Sequence, residues 1–221
     1  HGPATRMATA ALIRDKLTQA LDYELKWVRA QADGQVSAPE FDAQLDALRP
    51  VATGRLPAHF HAHRADDIAT ALRIGKEFGL DLTVVHGTEG HLIAELLAQE
   101  GVPVITGPFL TDRSKPELAK LTMENTAVLA RAGVRVAICT DHPETPISLL
   151  PFCAAMAARA GMDPEEALAA ITVNAARILG VDDRLGSLAP GKDADIVVMD
   201  GHPFQWDSKA AHVLIDGQEV I

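Results

Sequence analysis

Histidines and an aspartate recur at the ends of predicted β-strands, where parallel α/β folds place their chemistry. His61 ends the first predicted strand, His86 ends the second, and Asp141 follows the fourth. Neutral imidazole nitrogens and a carboxylate are ligands that Zn²⁺ prefers, and catalytic zinc sites keep one position open for water. Because the carboxyl ends of parallel strands meet at one mouth, the spacing predicts a divalent metal centre there. Zinc is the expected ion, and the number of ions, one or two, is left open.

The other histidines are assigned different roles. Alternation along the first strand aims His59 and His63 to the same side as His61, and His59 is predicted to be a packing residue. Three further histidines are not expected to bind metal: His91, His202 and His212. His91 is predicted to lie on a helix surface.

A repeating alternation of apolar runs and helical segments positions these residues. The apolar runs predict four strands, at 57–61, 82–86, 102–106 and 134–139. The predicted strand ends at His61, His86, Thr106 and Cys139 are 25, 20 and 33 residues apart, the pitch of successive βα units. Four such units are half of an eight-stranded barrel.

Helical patterns flank this block. Apolar residues at three- and four-residue steps predict a long helix from about Ala4 to Ala32. Ser37, with Pro39 in the first turn, predicts the start of a second helix that ends near Leu48.

The C-terminal part has a different pattern. Asp163 predicts the cap of a helix that runs to Leu179. Beyond it, short apolar runs follow one another without helices, and Asp216-Gly217 between two of them predicts a hairpin. We therefore expect a second, smaller β unit at the end of the chain.

Composition narrows the function classes. The chain has 221 residues, is 48% apolar and carries a formal charge of −10, with scattered Lys and Arg, which disfavours nucleic acid and anionic membranes as partners. Two cysteines fit a reducing compartment, and no apolar run reaches the roughly 18 residues of a membrane helix. We expect a cytoplasmic protein with a small-molecule substrate, while a signal peptide in a preceding segment and a homo-oligomer are left open.

Four segments together resemble the metal-dependent amidohydrolase superfamily, and most closely its imidazolonepropionase-like and cyclic-amidohydrolase branch. They are His61-Ala62-His63, Val84-Val85-His86-Gly87, Cys139-Thr140-Asp141-His142-Pro143 and 186–198. The resemblance covers about residues 56–221. Its most specific part is the combination of Asp141 with the segment Lys192-Asp193-Ala194-Asp195.

The resemblance implies a (β/α)₈ TIM barrel whose strands five to eight lie in this chain, with a small C-terminal β-sandwich portion. Residues 1–180 then form the C-terminal half of the barrel, with a helical lead-in over 1–55, and 181–221 form the sandwich portion. The superfamily's strand-one His-x-His pair and the carboxylated lysine of some members have no counterpart in this sequence. We therefore expect the chain to be the second half of a longer protein, completed by a missing N-terminal half.

The resemblance also implies roles for individual residues. His61, His86 and Asp141 match metal ligands, and Asp141 also matches the residue that moves the proton of the attacking water. His86, Asp141 and His142 are the implied catalytic residues. The implied substrate-binding residues are His63, Arg64 and Glu144. Arg64 stands where imidazolonepropionases carry an acid.

The implied activity is hydrolysis of a non-peptide or peptide-like C–N bond, in an amide or cyclic amide, by a metal-activated water. One alternative is a non-catalytic amidohydrolase-like scaffold, for which the absent strand-one ligands would be the signature. Another is a lyase or isomerase that uses the same ligands, which the Lys192–Asp195 segment disfavours.

Overall fold

The structure is a computed structural model that describes residues 2–221. It contains a four-stranded sheet and a three-stranded sheet. The chain divides into two compact units: the chain up to Phe60 together with Asp66–Thr83, and His61–Ala65 together with Val84–Ile221. Among residues 2–221, no helix has both the length and the apolar character needed to cross a membrane.

The predicted long helix is confirmed as α1, Arg6–Ala32. Thr5 caps it, because its side chain accepts a hydrogen bond from the backbone N–H of Ala8 at 3.1 Å. Helix α3, Ala65–Phe78, contributes its residues from Asp66 onward to the same unit.

The second helix begins later than predicted. Helix α2 is Ala43–Ala52, and its cap is Asp42, whose carboxylate accepts hydrogen bonds from the N–H groups of Gln44 and Leu45. The predicted cap at Ser37 is wrong, because Asp42 satisfies two free N–H groups in the first turn. Pro50 lies within the last turns of α2 and does not end it.

The core of the first unit joins these three helices. Its buried residues are Ala10, Leu17, Ala20, Ala52 and Ile74. On the surface, Arg6 pairs with Asp67 at 2.9 Å and Arg14 pairs with Glu77 at 2.5 Å, so two exposed ion pairs also link α1 to α3.

The four-stranded sheet carries the predicted metal-site residues. Its strands are β1 Ala58–Ala62, β2 Leu82–His86, β3 Val104–Thr106 and β4 Val136–Ile138, in the order β1-β2-β3-β4. Strands β2, β3 and β4 pair in parallel, and His86, Thr106 and Ile138 occupy one level across them. The prediction of four successive strands is confirmed, while closure into a barrel stays a prediction.

Short helices follow β2, β3 and β4. Each of the three loops after β2, β3 and β4 contains one 3₁₀ turn: Gly90–Ile93, Pro116–Leu118 and Ile147–Leu149. The helices that follow are α4 Ala94–Gln99, α5 Glu124–Arg131, α6 Leu150–Arg159, α7 Pro164–Ala170 and α8 Val173–Ile178. Asp163 caps α7 as predicted, but the single helix expected there breaks at Thr172, whose φ of −132° and ψ of −101° are not helical.

The predicted C-terminal hairpin is confirmed. Strands β5 Ile196–Met199, β6 Ala210–Ile215 and β7 Gln218–Glu219 form the antiparallel sheet. Asp216 and Gly217 connect β6 to β7 with φ angles of 51° and 75°. Two consecutive left-handed residues are what a type I′ hairpin turn requires, which is why an Asp-Gly pair predicts it.

The charged residues of the Lys192–Asp195 segment have structural contacts. The ammonium group of Lys192 donates hydrogen bonds to the backbone carbonyls of Asp182 and Leu185. The carboxylate of Asp195 accepts a hydrogen bond from the N–H of Asp216 at 2.9 Å. The segment thus attaches the C-terminal sheet to the chain that precedes it.

Candidate metal centre

Three imidazole rings meet at the carboxyl ends of β1 and β2. One potential ligand atom each from His61, His63 and His86 lies within 4.8 Å of the other two. The ring centroids are 4.5 to 4.8 Å apart, with His63 and His86 stacked and His61 edge-on to both. Two of the predicted metal ligands, His61 and His86, are therefore neighbours, and His63 joins them.

Backbone hydrogen bonds bring the two strand ends together. The N–H of Gly87 donates to the carbonyl of Ala62 at 2.9 Å, and the N–H of Glu89 donates to the carbonyl of His63 at 2.8 Å. His86 has a φ of 71°, in the left-handed region that few non-glycine residues adopt. Residues with such a strained backbone cluster at functional sites, and the backbone strain at His86 is therefore consistent with a functional site at the end of β2.

The loop after β3 orients the ring of His86. Its Nδ1 lies 2.7 Å from the carbonyl oxygen of Gly107. A carbonyl oxygen only accepts hydrogen bonds, so Nδ1 carries a proton and Nε2 is the nitrogen left to bind a metal. Gly107 has a φ of 117°, and a Cβ built there would lie 2.1 Å from the carbonyl oxygen of Cys139. Glycine is thus required where the chain holds His86.

The surroundings of His61 and His63 favour their neutral forms. Burial, followed by the charges of His86 and His61, lowers the pKa of His63 to about 4. His61 is exposed as a residue, but its ring is partly buried. This burial is the main cause that lowers the pKa of His61, and the charge of His86 is the second. The Nδ1 of His63 lies 2.8 Å from the hydroxyl of Thr88, which fixes the ring. At neutral pH both rings therefore carry lone pairs.

These residues fit a divalent ion. Zinc binds imidazole nitrogen at about 2.0–2.1 Å, which puts two ligand nitrogens at most about 4.2 Å apart. Since the atoms here lie within 4.8 Å of one another, small side-chain shifts bring them to ligand distance. The free Nε2 of His86, bound on its other nitrogen to a carbonyl, is the usual arrangement of a metal-binding histidine.

A cavity of about 110 Å³ opens beside the three histidines, and Asp141 and Glu144 line it with them. Asp141, three residues beyond the end of β4, has a φ of 50°. It does not belong to the group of ligand atoms within 4.8 Å of one another. The structure thus brings Asp141 and Glu144 to the predicted site, and Asp141 faces the same cavity as His61 and His86.

Two predicted site residues do not line this cavity. His142 is exposed, and Arg64 is half-buried and forms its own contacts. His59, predicted to be a packing residue, is exposed and lies outside the histidine group. The roles of His142 in catalysis and of Arg64 in substrate binding stay predictions, and the prediction that His59 is a packing residue is wrong because the residue is exposed.

The remaining histidines and the cysteines lie outside the metal group. Three histidines have other contacts: His91 with Asn125, His202 with Phe204, and His212 with Glu219. Both cysteines, within the described residues, are free thiols, as expected. Burial, followed by the charge of Asp141, raises the pKa of Cys139 to about 11, so this thiol is protonated and a poor nucleophile.

Three contributors to the site were missed by the sequence analysis. Thr88 orients His63, the carbonyl of Gly107 orients His86, and Lys115 lines the cavity. The charge of Lys115 also contributes to the low pKa of His61 and His63. The Gly107-Pro108 pair, which follows a strand end, was the one signal of these contributors in the sequence. A backbone carbonyl group carries no residue-type information, and Lys115 lies in a long loop, so neither could be recognised.

Comparison with known proteins places these observations in a family. The model of the amidohydrolase family matches residues 13–220. An amidohydrolase from Thermotoga maritima MSB8 has a TM-score of 0.95 and 47% identity over 100% of this chain and 57% of its own. An imidazolonepropionase from Cereibacter sphaeroides (strain KD131) is 32% identical over 156 residues, which are 68% of this chain and 38% of that protein.

An adenosine deaminase from Xanthomonas campestris with bound zinc has a TM-score of 0.56 and 27% identity, over 81% of this chain and 48% of its own. The chain spans less than two thirds of the length of each of these three proteins. The predicted resemblance to the imidazolonepropionase-like branch is confirmed by these matches. On its sequence and its fold, this chain belongs to the amidohydrolase family.

Proposed function

We propose that this protein is a metal-dependent hydrolase that cleaves a C–N bond in an amide or cyclic amide. The observation that carries the proposal is the group of three imidazoles within 4.8 Å, with Asp141 lining the same cavity. The similarity to an imidazolonepropionase and an adenosine deaminase supports it. The substrate is proposed to be a small molecule.

His61 and His86 are the proposed metal ligands, together with Asp141, and His63 lies close enough to join them. The zinc of the deaminase supports zinc as the ion. A zinc ion bound here would lower the pKa of water toward about 7 and polarise the substrate carbonyl. The neutral state of His61 and His63 keeps their lone pairs available at neutral pH.

Asp141 is the proposed proton carrier. Its carboxylate faces the cavity in which the scissile bond would lie, and it takes one proton from the attacking water. The water oxygen forms a bond to the carbonyl carbon, the C–N bond breaks, and Asp141 gives the proton to the leaving nitrogen. The ammonium group of Lys115 in the same cavity is placed to attract an anionic group. Arg64 and Glu144 are kept as proposed substrate-binding residues and His142 as an accessory catalytic residue.

The four parallel strands are proposed to be strands five to eight of a (β/α)₈ barrel, the fold of the family. Residues 1–180 would then form the C-terminal half of that barrel. The three-stranded sheet within 181–221 would be part of the small β-sandwich.

Replacing Asp141 with asparagine in the full-length protein tests the activity. A panel of cyclic amides and N-acyl amino acids is the substrate set, and turnover in Asp141→Asn, assayed at saturating zinc because Asp141 is also a proposed ligand, is expected to fall by about 10²–10⁴-fold. Asp207→Asn is the matched control, because Asp207 is exposed and does not line the cavity. Unchanged turnover in Asp141→Asn would refute the proton-transfer role, and a full-length protein without stoichiometric metal would favour the scaffold alternative.

A further inference from the structure

A second, larger cavity adjoins the metal cavity. Its volume is about 730 Å³, and it lies between the loop after β3 and helix α6. Thr111 and Leu121 line both cavities. The two cavities therefore share part of their lining.

Most of the wall of the larger cavity is apolar. The apolar side chains that line it are Phe109, Leu121, Met123, Phe152, Met156 and Ala160. Trp206 packs edge-to-face on Phe152, with ring centroids 5.5 Å apart, and is 84% exposed. An exposed tryptophan beside an apolar cavity is typical of a surface that contacts a ligand, so this wall suits an aliphatic or aromatic group.

The charged side chains of the same cavity are two arginines and one glutamate, Arg113, Arg159 and Glu124. This gives a local excess of one positive charge in a chain whose net charge is −10. Arg113 donates a hydrogen bond to the carbonyl of Leu121 at 2.8 Å, which holds its guanidinium at the cavity. Within residues 2–221, the guanidinium of Arg159 makes no hydrogen bond or ion pair, so it can receive an anion.

We propose that this cavity binds an apolar group that carries a carboxylate, as part of the substrate of the adjoining metal centre. The apolar wall takes the hydrocarbon part, and Arg113 and Arg159 pair with the carboxylate, because guanidinium groups match carboxylates in charge and geometry. The favoured substrate class is then an amide with an apolar, carboxylate-bearing substituent, such as an N-acyl apolar amino acid. This assignment of the substrate class rests on the proposed function.

The test compares two probes of the same shape and different charge. Binding of 3-phenylpropionate and of 3-phenylpropionamide to the zinc-loaded full-length protein is measured by titration calorimetry. Arg113→Gln and Arg159→Gln are each expected to weaken binding of the carboxylate about tenfold and to leave binding of the amide unchanged. Glu124→Gln is expected to strengthen binding of the carboxylate, which tests the charge argument without removing an arginine.

Arg135→Gln is the matched control, because Arg135 is exposed and lines neither cavity. If 3-phenylpropionate binds equally well to the Arg113, Arg159 and Arg135 variants, the proposal is overturned. The carboxylate of the probe then binds elsewhere, such as at zinc. Such a result leaves the Asp141→Asn experiment untouched. The opposite combination is also informative. If binding depends on the arginines while Asp141→Asn keeps full turnover, the carboxylate site is supported and the proposed proton transfer is refuted.

Discussion

Replacing Gly107 with alanine is expected to damage both the fold and the metal site. Alanine at a φ of 117° is strained, which costs about 1–3 kcal/mol. Its Cβ would lie 2.1 Å from the carbonyl oxygen of Cys139, so the backbone must move by about 1 Å, at a further cost of about 1–3 kcal/mol. The free energy of unfolding of Gly107→Ala should thus fall by about 2–6 kcal/mol.

The same movement displaces the carbonyl that orients His86. Its Nδ1 is 2.7 Å from the oxygen of Gly107, and a shift of about 1 Å breaks that hydrogen bond. Loss of such a partner of a metal-binding histidine typically costs 10–100-fold in metal affinity. Zinc affinity of Gly107→Ala, measured by competition with a chromophoric chelator, should therefore fall by about that factor.

Gly133→Ala is the matched control. Gly133 has a φ of 89°, and a Cβ there would have no neighbour within 4 Å. This variant should lose only the backbone cost of about 1–2 kcal/mol and keep wild-type zinc affinity. Unfolding is followed in urea with metal-free full-length protein. If Gly107→Ala and Gly133→Ala match in both stability and zinc affinity, the account of how His86 is held is wrong.

Three further predictions follow from the same contacts. Thr88→Val removes the hydroxyl that lies 2.8 Å from His63 and should lower zinc affinity about tenfold with little change in stability. An unchanged zinc affinity in the chelator assay would show that Thr88 does not orient His63. The pKa of His63 is about 4 in the folded protein and about 6.5 in the unfolded chain, so between these pH values the unfolded state binds more protons. The free energy of unfolding of metal-free protein should therefore fall as the pH drops from 6.5 to 4. A pH series of urea unfolding should show a shallower fall for His63→Gln. Lys192→Met removes the hydrogen bonds to two backbone carbonyls and should speed amide hydrogen exchange in Ile196–Met199 at unchanged zinc affinity, whereas unchanged exchange would refute its structural role.

The regular parts of the fold could be predicted from the sequence. Strand β2 is apolar and β-branched and ends in His86, and it has the predicted bounds because a strand buried on both faces leaves a continuous apolar run. The turn at Asp216-Gly217 was predictable because few residue pairs tolerate two positive φ angles. The ends of helices were harder to predict, since Ser37 and Asp42 are both good caps and only the structure shows that Asp42 accepts hydrogen bonds from the first turn of α2.

The site could be predicted only in part. Two histidines at successive strand ends indicated a metal centre, and the structure brings His61 and His86 together. Alternation predicted that His63 lies on the side of His61, but its distance from the other two rings depends on backbone hydrogen bonds of the strand ends and on Thr88, which leave no pattern in the sequence. For the same reason, no residue type marks the larger cavity, whose lining comes from segments far apart in the chain.

The central claim is that His61 and His86 hold a catalytic metal ion. Anomalous diffraction at the zinc edge, from crystals of zinc-loaded full-length protein, tests it most directly. The account predicts a peak about 2.0–2.1 Å from one imidazole nitrogen of each of these two residues, next to the cavity that Asp141 lines. A map with no zinc peak at these histidines, or with the ion bound elsewhere and both rings unligated, would contradict it.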